Sequence, residues 1–154
     1  MLLAVILLIS AEAAAALLIC QHYLGNDFTI GENVNCIEEK FDEYEQFEAG
    51  EVYEKEVTVR NTGNVDCYVR VFAEVEDPLI AETLGIDFNE DDWTEKQNDG
   101  FYYYRKVLSA GNATEPLFTR IIAEEDTNRF RMICYSETIQ AEGSADSMSA
   151  FRSR

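Results

Sequence analysis

The residues best suited to chemistry lie in one short acidic stretch, where Asp87, Asn89 and Asp91 alternate with other residues. Alternating oxygen-bearing side chains in a tight loop are typical of Ca²⁺ sites, because this ion takes many oxygen ligands. The rest of the calcium-loop pattern is missing, since Asp92 stands where glycine is expected and Asn98 where glutamate is expected. The stretch predicts either a Ca²⁺ site or an exposed acidic turn, and no other cofactor is indicated.

Catalytic constellations are absent from the sequence. Zinc peptidases hold their metal with several imidazoles, usually from an HExxH motif, but the only histidine is His22 beside the N-terminal apolar run. Serine and cysteine hydrolases need a base, usually histidine, held within hydrogen-bond reach of the nucleophile, and His22 is not placed in the folded domain to serve as one. Because the chain has 30 Asp and Glu residues, any carboxylate pair is uninformative. The sequence therefore favours a protein that is not an enzyme and predicts no catalytic residue.

Length and charge limit the classes of partner. The chain has 154 residues, 47% of them hydrophobic, which suits one domain with a sizeable core. Its formal net charge is −18. Nucleic-acid binding depends on Lys and Arg replacing the counterions of phosphate, so this charge argues against nucleic acid and anionic lipid heads as partners.

Four cysteines occur, at positions 20, 36, 67 and 134, and their spacing matches no metal or redox motif. Cys67 and Cys134 each fall within alternating apolar patterns, which predicts small buried side chains. A disulfide between two of Cys36, Cys67 and Cys134 stays open at this point.

The N-terminus carries the only long apolar run, residues 2–19, with an Ala11-Glu12-Ala13 segment of the form that signal peptidases cleave. A retained membrane anchor is the alternative, although Glu12 would be costly inside a bilayer. We expect an apolar signal or anchor helix over residues 1–25. Both alternatives place the domain outside the cytoplasm, in contact with a membrane only through this segment.

The central stretch, Glu51 to Glu76, predicts two long strands joined by a polar turn at Asn61–Asn64 and lying side by side in one sheet. Apolar residues alternate strictly along the second strand, from Cys67 to Val75, which is the period of a β-strand. Further strands are predicted over 34–41, 101–108, 116–123 and 129–139, with a turn at 97–100 and a short helix over 78–84 that ends before Gly85.

Many strands separated by turns, without a βαβ rhythm, indicate an all-β fold. We expect an antiparallel β-sandwich with jelly-roll-like connections over residues 26–143, followed by a C-terminal tail over 144–154 with one weak helix. The aromatic run at 101–104 is interpreted as alternating core and surface, with a sugar-stacking platform as the alternative.

Several segments resemble one family of exported proteins. They are FTIGENV, AGEVYEKEVTVRNTGNVDCYVRV, the segment from Gly100 to Leu108, and Gln140-Ala141-Glu142-Gly143. In their order the chain is similar to the alternate signal-mediated exported proteins of Gram-positive bacteria, the TasA and camelysin group, which are processed by a SipW-type signal peptidase. The resemblance runs from about Asp27 to Gly143.

The resemblance implies a secreted or cell-surface jelly-roll protein that serves as a fibre subunit of the biofilm matrix. It implies self-assembly through an N-terminal strand donated to the next subunit, which here corresponds to Asp27, Phe28, Thr29, Ile30 and Gly31. Alternatives are a membrane-tethered surface binding module and a camelysin-like metallopeptidase, for which the folded domain has no histidine. One departure concerns residues 21–27, where the family has a Tyr-Phe-Thr/Ser-Asp segment.

Overall fold

The computed structural model describes residues 34–41 and 44–152 of the chain. The predicted leader over 1–25, the predicted assembly strand Asp27–Gly31 and His22 lie outside these residues. Within them the protein is mostly β, and every pairing between strands is antiparallel, as the sequence predicts. None of the helices in this part of the chain is long and apolar enough to cross a membrane.

The described residues form nine strands and two short helices. The strands are β1 (Asn35–Phe41), β2 (Gln46–Phe47), β3 (Val52–Asn61), β4 (Cys67–Val75), β5 (Leu84–Ile86), β6 (Phe101–Tyr103), β7 (Arg120–Ala123), β8 (Thr127–Asn128) and β9 (Met132–Gln140). The helices are α1 (Pro78–Ala81) and α2 (Ser147–Arg152).

Three sheets arise from these strands. The largest has the order β1-β3-β7-β5, the second has the order β6-β4-β9, and β2 pairs with β8 in a small third sheet. Sequence neighbours are therefore often in different sheets, and the long strands β3 and β4 each lie inside a sheet with a partner on both sides.

The main core lies between the two larger sheets. Val57 and Val59 of β3 belong to one contiguous buried cluster with Val69 and Val71 of β4. These residues point inward because side chains in a strand alternate between its two faces. Trp93 also joins this cluster, and its Nε1 donates a 3.0 Å hydrogen bond to the carbonyl oxygen of Glu115.

The predicted pairing of the two central strands is wrong. β3 pairs with β1 and β7, whereas β4 pairs with β6 and β9. Asn61 directs the change of sheet: its buried side chain donates to the carbonyl oxygens of Val65 and Leu108 and accepts from the Gly63 N–H. These bonds hold a wider connection than a hairpin turn, so the two strands face each other across the core.

Several shorter predictions are corrected in the same way. The helix α1 ends at Ala81, and Gly85 lies inside β5 opposite Ile122 rather than beyond a helix end. The strands predicted over 101–108 and 116–123 are shorter, as β6 and β7. The turn at 97–100 is confirmed, with Gly100 at a φ of 86° and its N–H bonded to the Gln97 carbonyl oxygen.

The C-terminal segment is packed rather than extended into solvent. Residues 144–154 were expected to form a tail with a weak helix, and the helix is present as α2. Its residues Ser147, Ala150 and Phe151 are buried. Ala150 and Phe151 join a second apolar cluster on the outer face of the three-stranded sheet.

Candidate functional site

The outer edge of β9 is the longest open strand edge in the described part of the chain. β9 pairs with β4 along all of its length, from Met132 opposite Val75 to Gln140 opposite Cys67. It is the last strand of its sheet, and no described strand pairs with its other edge. Such an edge presents a row of backbone N–H and C=O groups to any chain that can add a strand.

The backbone groups at this edge can be assigned from neighbouring hydrogen bonds. The Val69 carbonyl accepts from the Tyr104 N–H, so Val69 directs its backbone groups away from β9. In an antiparallel ladder successive residues alternate in direction, so Arg70 directs its groups toward β9, where its partner is Glu137. Glu137 in turn directs its backbone groups toward β4, so the residues on either side of it direct their backbone groups away from β4, to the open edge. These outward residues of β9 include Cys134, Ser136 and Thr138.

The strand β1 forms a second open edge beside the first. It is the last strand of the four-stranded sheet, and within the described residues it pairs only with β3. Asn35 of β1 is bonded to β9 through side chains alone: its Nδ2 donates to Thr138 Oγ1 at 2.9 Å, and its Oδ1 accepts from Ser136 Oγ. The two edges thus lie side by side without sharing a ladder.

A charged pair lies on the core side of the β1–β3 ladder. Lys55 of β3 is 6% exposed, and its Nζ donates to Glu39 Oε2 of β1 at 2.6 Å. The pKa of the nearby Cys134 thiol is raised to about 12, mainly by burial and in part by Glu39, while Lys55 acts in the opposite direction. We call the group Asn35, Glu39, Lys55, Cys134, Ser136 and Thr138 the β1–β9 seam.

Lys55 is one of the polar positions of the first central strand, where the sequence favours a solvated side chain, and the structure corrects this expectation because Lys55 is buried. Lys55 has the same parity along β3 as the buried Val57 and Val59, so the period of two was a usable signal. It was missed because a lysine was assumed to be solvated. The pairing with Glu39 could not be read from the sequence, since it depends on the register of β1 against β3.

No disulfide joins Cys36, Cys67 and Cys134 to one another in the part of the chain that the structure describes, so the structure does not support that alternative. Cys67 is fully buried in the main core, as predicted. Burial raises the pKa of Cys67 to about 12, with a further contribution from Asp66. Because the thiolate is the reactive form, these raised pKa values disfavour reaction at Cys67 and Cys134.

Asp87, the first residue of the predicted Ca²⁺ stretch, has a structural role. Its Oδ1 accepts from the backbone N–H groups of Thr119 and Arg120, and its Oδ2 accepts from Thr119 Oγ1 and Arg120 Nε. Partial burial raises the pKa of Asp87, but these bonds outweigh it and hold the pKa below its usual value. Four donors occupy the carboxylate and leave no lone pair for a cation.

The other two residues of that stretch do not complete a metal site in this arrangement. Asn89 Oδ1 accepts from the Asp92 N–H, and Asn89 Nδ2 donates to Asp92 Oδ2 and to the Pro116 carbonyl oxygen. Asp91 is exposed. No group of three or more metal-binding side chains occurs in residues 34–41 and 44–152. Ca²⁺ binding stays a prediction of the sequence, and it would require Asp87 to exchange its donors for the ion.

The aromatic run at 101–104 is buried on both sides of the sheet. Tyr102 and Tyr104 belong to the main core, whereas Phe101 and Tyr103 belong to the outer cluster. All four side chains are at most 8% exposed. The expected alternation between two faces is present, but the expectation that one of them is surface is wrong, because both faces are buried. The run therefore leaves no exposed platform on which a sugar could stack.

Arg70 organises the outer cluster, and the sequence analysis assigned it no role. Its guanidinium lies 4.0 Å from the centre of the Phe101 ring and 4.5 Å from that of Phe151. It also donates two hydrogen bonds to Glu137 Oε2, at 2.6 and 2.9 Å. Burial lowers the pKa of Arg70, but its bonds to Tyr103 and Glu137 outweigh this and raise it. The residue ties α2 to the sheet.

Comparison of the chain with protein-family profiles, with curated proteins and with solved structures finds no match in any of the three. The candidate site therefore stands on its geometry: two open strand edges lie side by side, next to an ion pair between the buried Lys55 and the exposed Glu39.

Proposed function

We propose that this chain is an exported structural protein that assembles with copies of itself by strand addition at the outer edge of β9. The observation that carries the proposal is the length of that edge, nine residues from Met132 to Gln140 without a described partner strand. An added strand gains backbone hydrogen bonds along the edge, and alternate side-chain positions give it specificity.

The β1–β9 seam supports the choice of this edge over the others. β5 and β6, at the far ends of the two larger sheets, have only three residues each, so they offer few backbone groups. At the seam, Asn35, Ser136 and Thr138 hold the two edges together through hydroxyl and amide groups. These groups can exchange their mutual bonds for bonds to an inserted backbone.

The proposal also covers the type of β-sandwich, the leader, the export route and the family of the protein. It comprises a jelly-roll-like β-sandwich, an N-terminal signal or anchor helix over 1–25, export through a SipW-type signal peptidase, and membership of the TasA and camelysin group. The role is that of a non-enzymatic matrix or fibre subunit at the cell surface, and the donated strand is Asp27–Gly31. What supports it is the resemblance in sequence together with the antiparallel two-sheet core.

Assembly of the full chain, followed by sedimentation and electron microscopy, tests this function. Thr138→Pro removes an outward N–H from β9, and proline is tolerated at such an edge position. Thr138→Ala is the matched control, because it removes the same contact to Asn35 but keeps the N–H. We expect fibres or large oligomers from the unmodified chain and from Thr138→Ala, and a loss of them in Thr138→Pro.

Deletion of residues 27–31 tests the donor strand separately. We expect the deleted chain to fold and to stay small, because it retains the acceptor edge but has no strand to give. An unmodified chain that stays monomeric across protein concentration, pH and Ca²⁺ would contradict the proposal.

A further inference from the structure

The most exposed large apolar side chain in the described residues is Leu79, on the helix α1. It is 75% exposed. The helix presents it on a rigid turn: Asp77 caps the helix by accepting the Leu79 N–H at 2.9 Å, and Pro78 occupies the first turn. A side chain that is already held in place loses little backbone freedom when it binds a partner.

A surface hollow of about 800 Å³ lies beside this helix. Its apolar members are Pro78, Ile80 and Phe130, of which Ile80 and Phe130 are half-buried. Glu76 and Asp77 supply acidic groups, and Arg129 and Arg131 supply basic groups. We call Leu79 and these seven residues the α1 corner. It combines a projecting apolar side chain with a recess that is large enough to receive one.

The charges of the α1 corner indicate which partner fits it. The chain has only 12 Lys and Arg residues against 30 Asp and Glu residues, yet two arginines flank Phe130 at this point. Arg131 Nη1 lies 3.5 Å from Glu76 Oε2, and both side chains are more than half exposed. A partner that carries charges of one sign would be repelled either by the two acidic groups or by the two arginines of this corner. A second copy related by a two-fold axis can place an arginine of each copy opposite an acidic group of the other.

We propose that two copies of this chain associate through the α1 corner about a two-fold axis. Each Leu79 enters the hollow of the other copy, and each Arg131 faces Glu76 of the other copy. This contact lies at the end of the β4–β9 ladder, where Arg131 directly precedes Met132, and it uses side chains rather than the backbone groups of the β9 edge. With strand addition at β9 joining subunits into a filament, the α1 corner would allow two such filaments to associate side by side.

Sedimentation equilibrium of the full chain carrying Thr138→Pro tests the contact without interference from strand addition. Leu79→Glu places a charge in the hollow of the other copy, and we expect it to raise the dimer dissociation constant at least about tenfold. Val107→Glu is the matched control, because Val107 is 45% exposed and lies outside the α1 corner. We expect no change in that variant. A dimer that is equally stable in both variants, or a chain that does not dimerise at all, overturns the inference.

A charge exchange tests the two-fold geometry. Glu76→Arg and Arg131→Glu each place like charges opposite one another in a homodimer, so each variant alone should dimerise at least about tenfold more weakly. In an equal mixture, the altered charges face opposite charges across the axis, so heterodimers should form. The ion pair within one chain cannot produce this rescue by mixing. Absence of heterodimers overturns the proposed pairing of Arg131 with Glu76.

Discussion

Strand β4 separates two clusters of different character. Its inner face contributes Val69 and Val71 to a core of apolar and aromatic side chains, most of them fully buried. Its outer face contributes Arg70 to a cluster in which a cation lies between Phe101 and Phe151. The inner cluster is stabilised by removal of apolar area from water and by close packing, and the outer one also depends on the geometry of an ion pair.

The two sides of β4 differ in how well they tolerate substitution. A substitution in the inner cluster leaves a cavity that two sheets must collapse to fill, whereas the outer cluster is closed only by the six-residue helix α2. A helix of this length has little stability of its own, so its docking depends on contacts such as those of Phe151. We therefore expect the largest losses of stability on the inner side.

The largest expected effect follows from truncating the same side chain on the two sides of β4. Phe118→Ala in the inner cluster, where Phe118 is fully buried, should lower the free energy of unfolding by about 3–5 kcal/mol. Phe72→Ala in the outer cluster should cost clearly less, because Phe72 is half-buried beside Tyr135. Urea denaturation measures both. A larger loss in Phe72→Ala would reverse the comparison.

Alkaline pH should act on the inner cluster through Tyr102. Burial raises the pKa of Tyr102 from 10 to about 12, with a further contribution from Glu74. Between these values the unfolded chain loses the phenolic proton and the folded chain keeps it, so stability falls as pH rises. The loss is about 1.4 kcal/mol per pH unit for this group.

The variant Tyr102→Phe isolates that contribution. Burial also raises the pKa values of Cys67 and Cys134, but both thiols remain in the variant and their effects cancel in the comparison. Unfolding free energies from pH 8 to 12 should fall less steeply in Tyr102→Phe than in the unmodified chain. Parallel curves above pH 10 would contradict the assignment of Tyr102 to the buried core.

The smallest of the three effects concerns the ion pair of the outer cluster. Arg70→Met keeps an apolar stem but leaves Glu137 without its partner, so we expect a loss of about 1–3 kcal/mol. Arg60→Met is the matched control, since its ion pair with Glu38 is exposed and should be worth less than about 1 kcal/mol. If the two variants lose the same free energy of unfolding, the Arg70–Glu137 pair contributes no more than an exposed surface ion pair.

Residue parity was the part of the fold that the sequence predicted best. The alternation from Cys67 to Val75 correctly separated the inward residues of β4 from the outward ones. The candidate edge was less predictable. Its seam joins Asn35 to Ser136 and Thr138, residues about a hundred positions apart, and their contact depends on how two sheets are stacked.

The alternation of apolar residues was enough to predict antiparallel β-structure with a buried valine-rich face, because a period of two shows which side chains leave water. The assignment of β3 and β4 to different sheets, the burial of Lys55 beside Glu39 and the proximity of the β1 and β9 edges depend on the three-dimensional fold. Alternation specifies which face a residue occupies, but it does not specify which strand lies next to its own. Neighbours are chosen by long-range register and by connections such as the one that Asn61 holds.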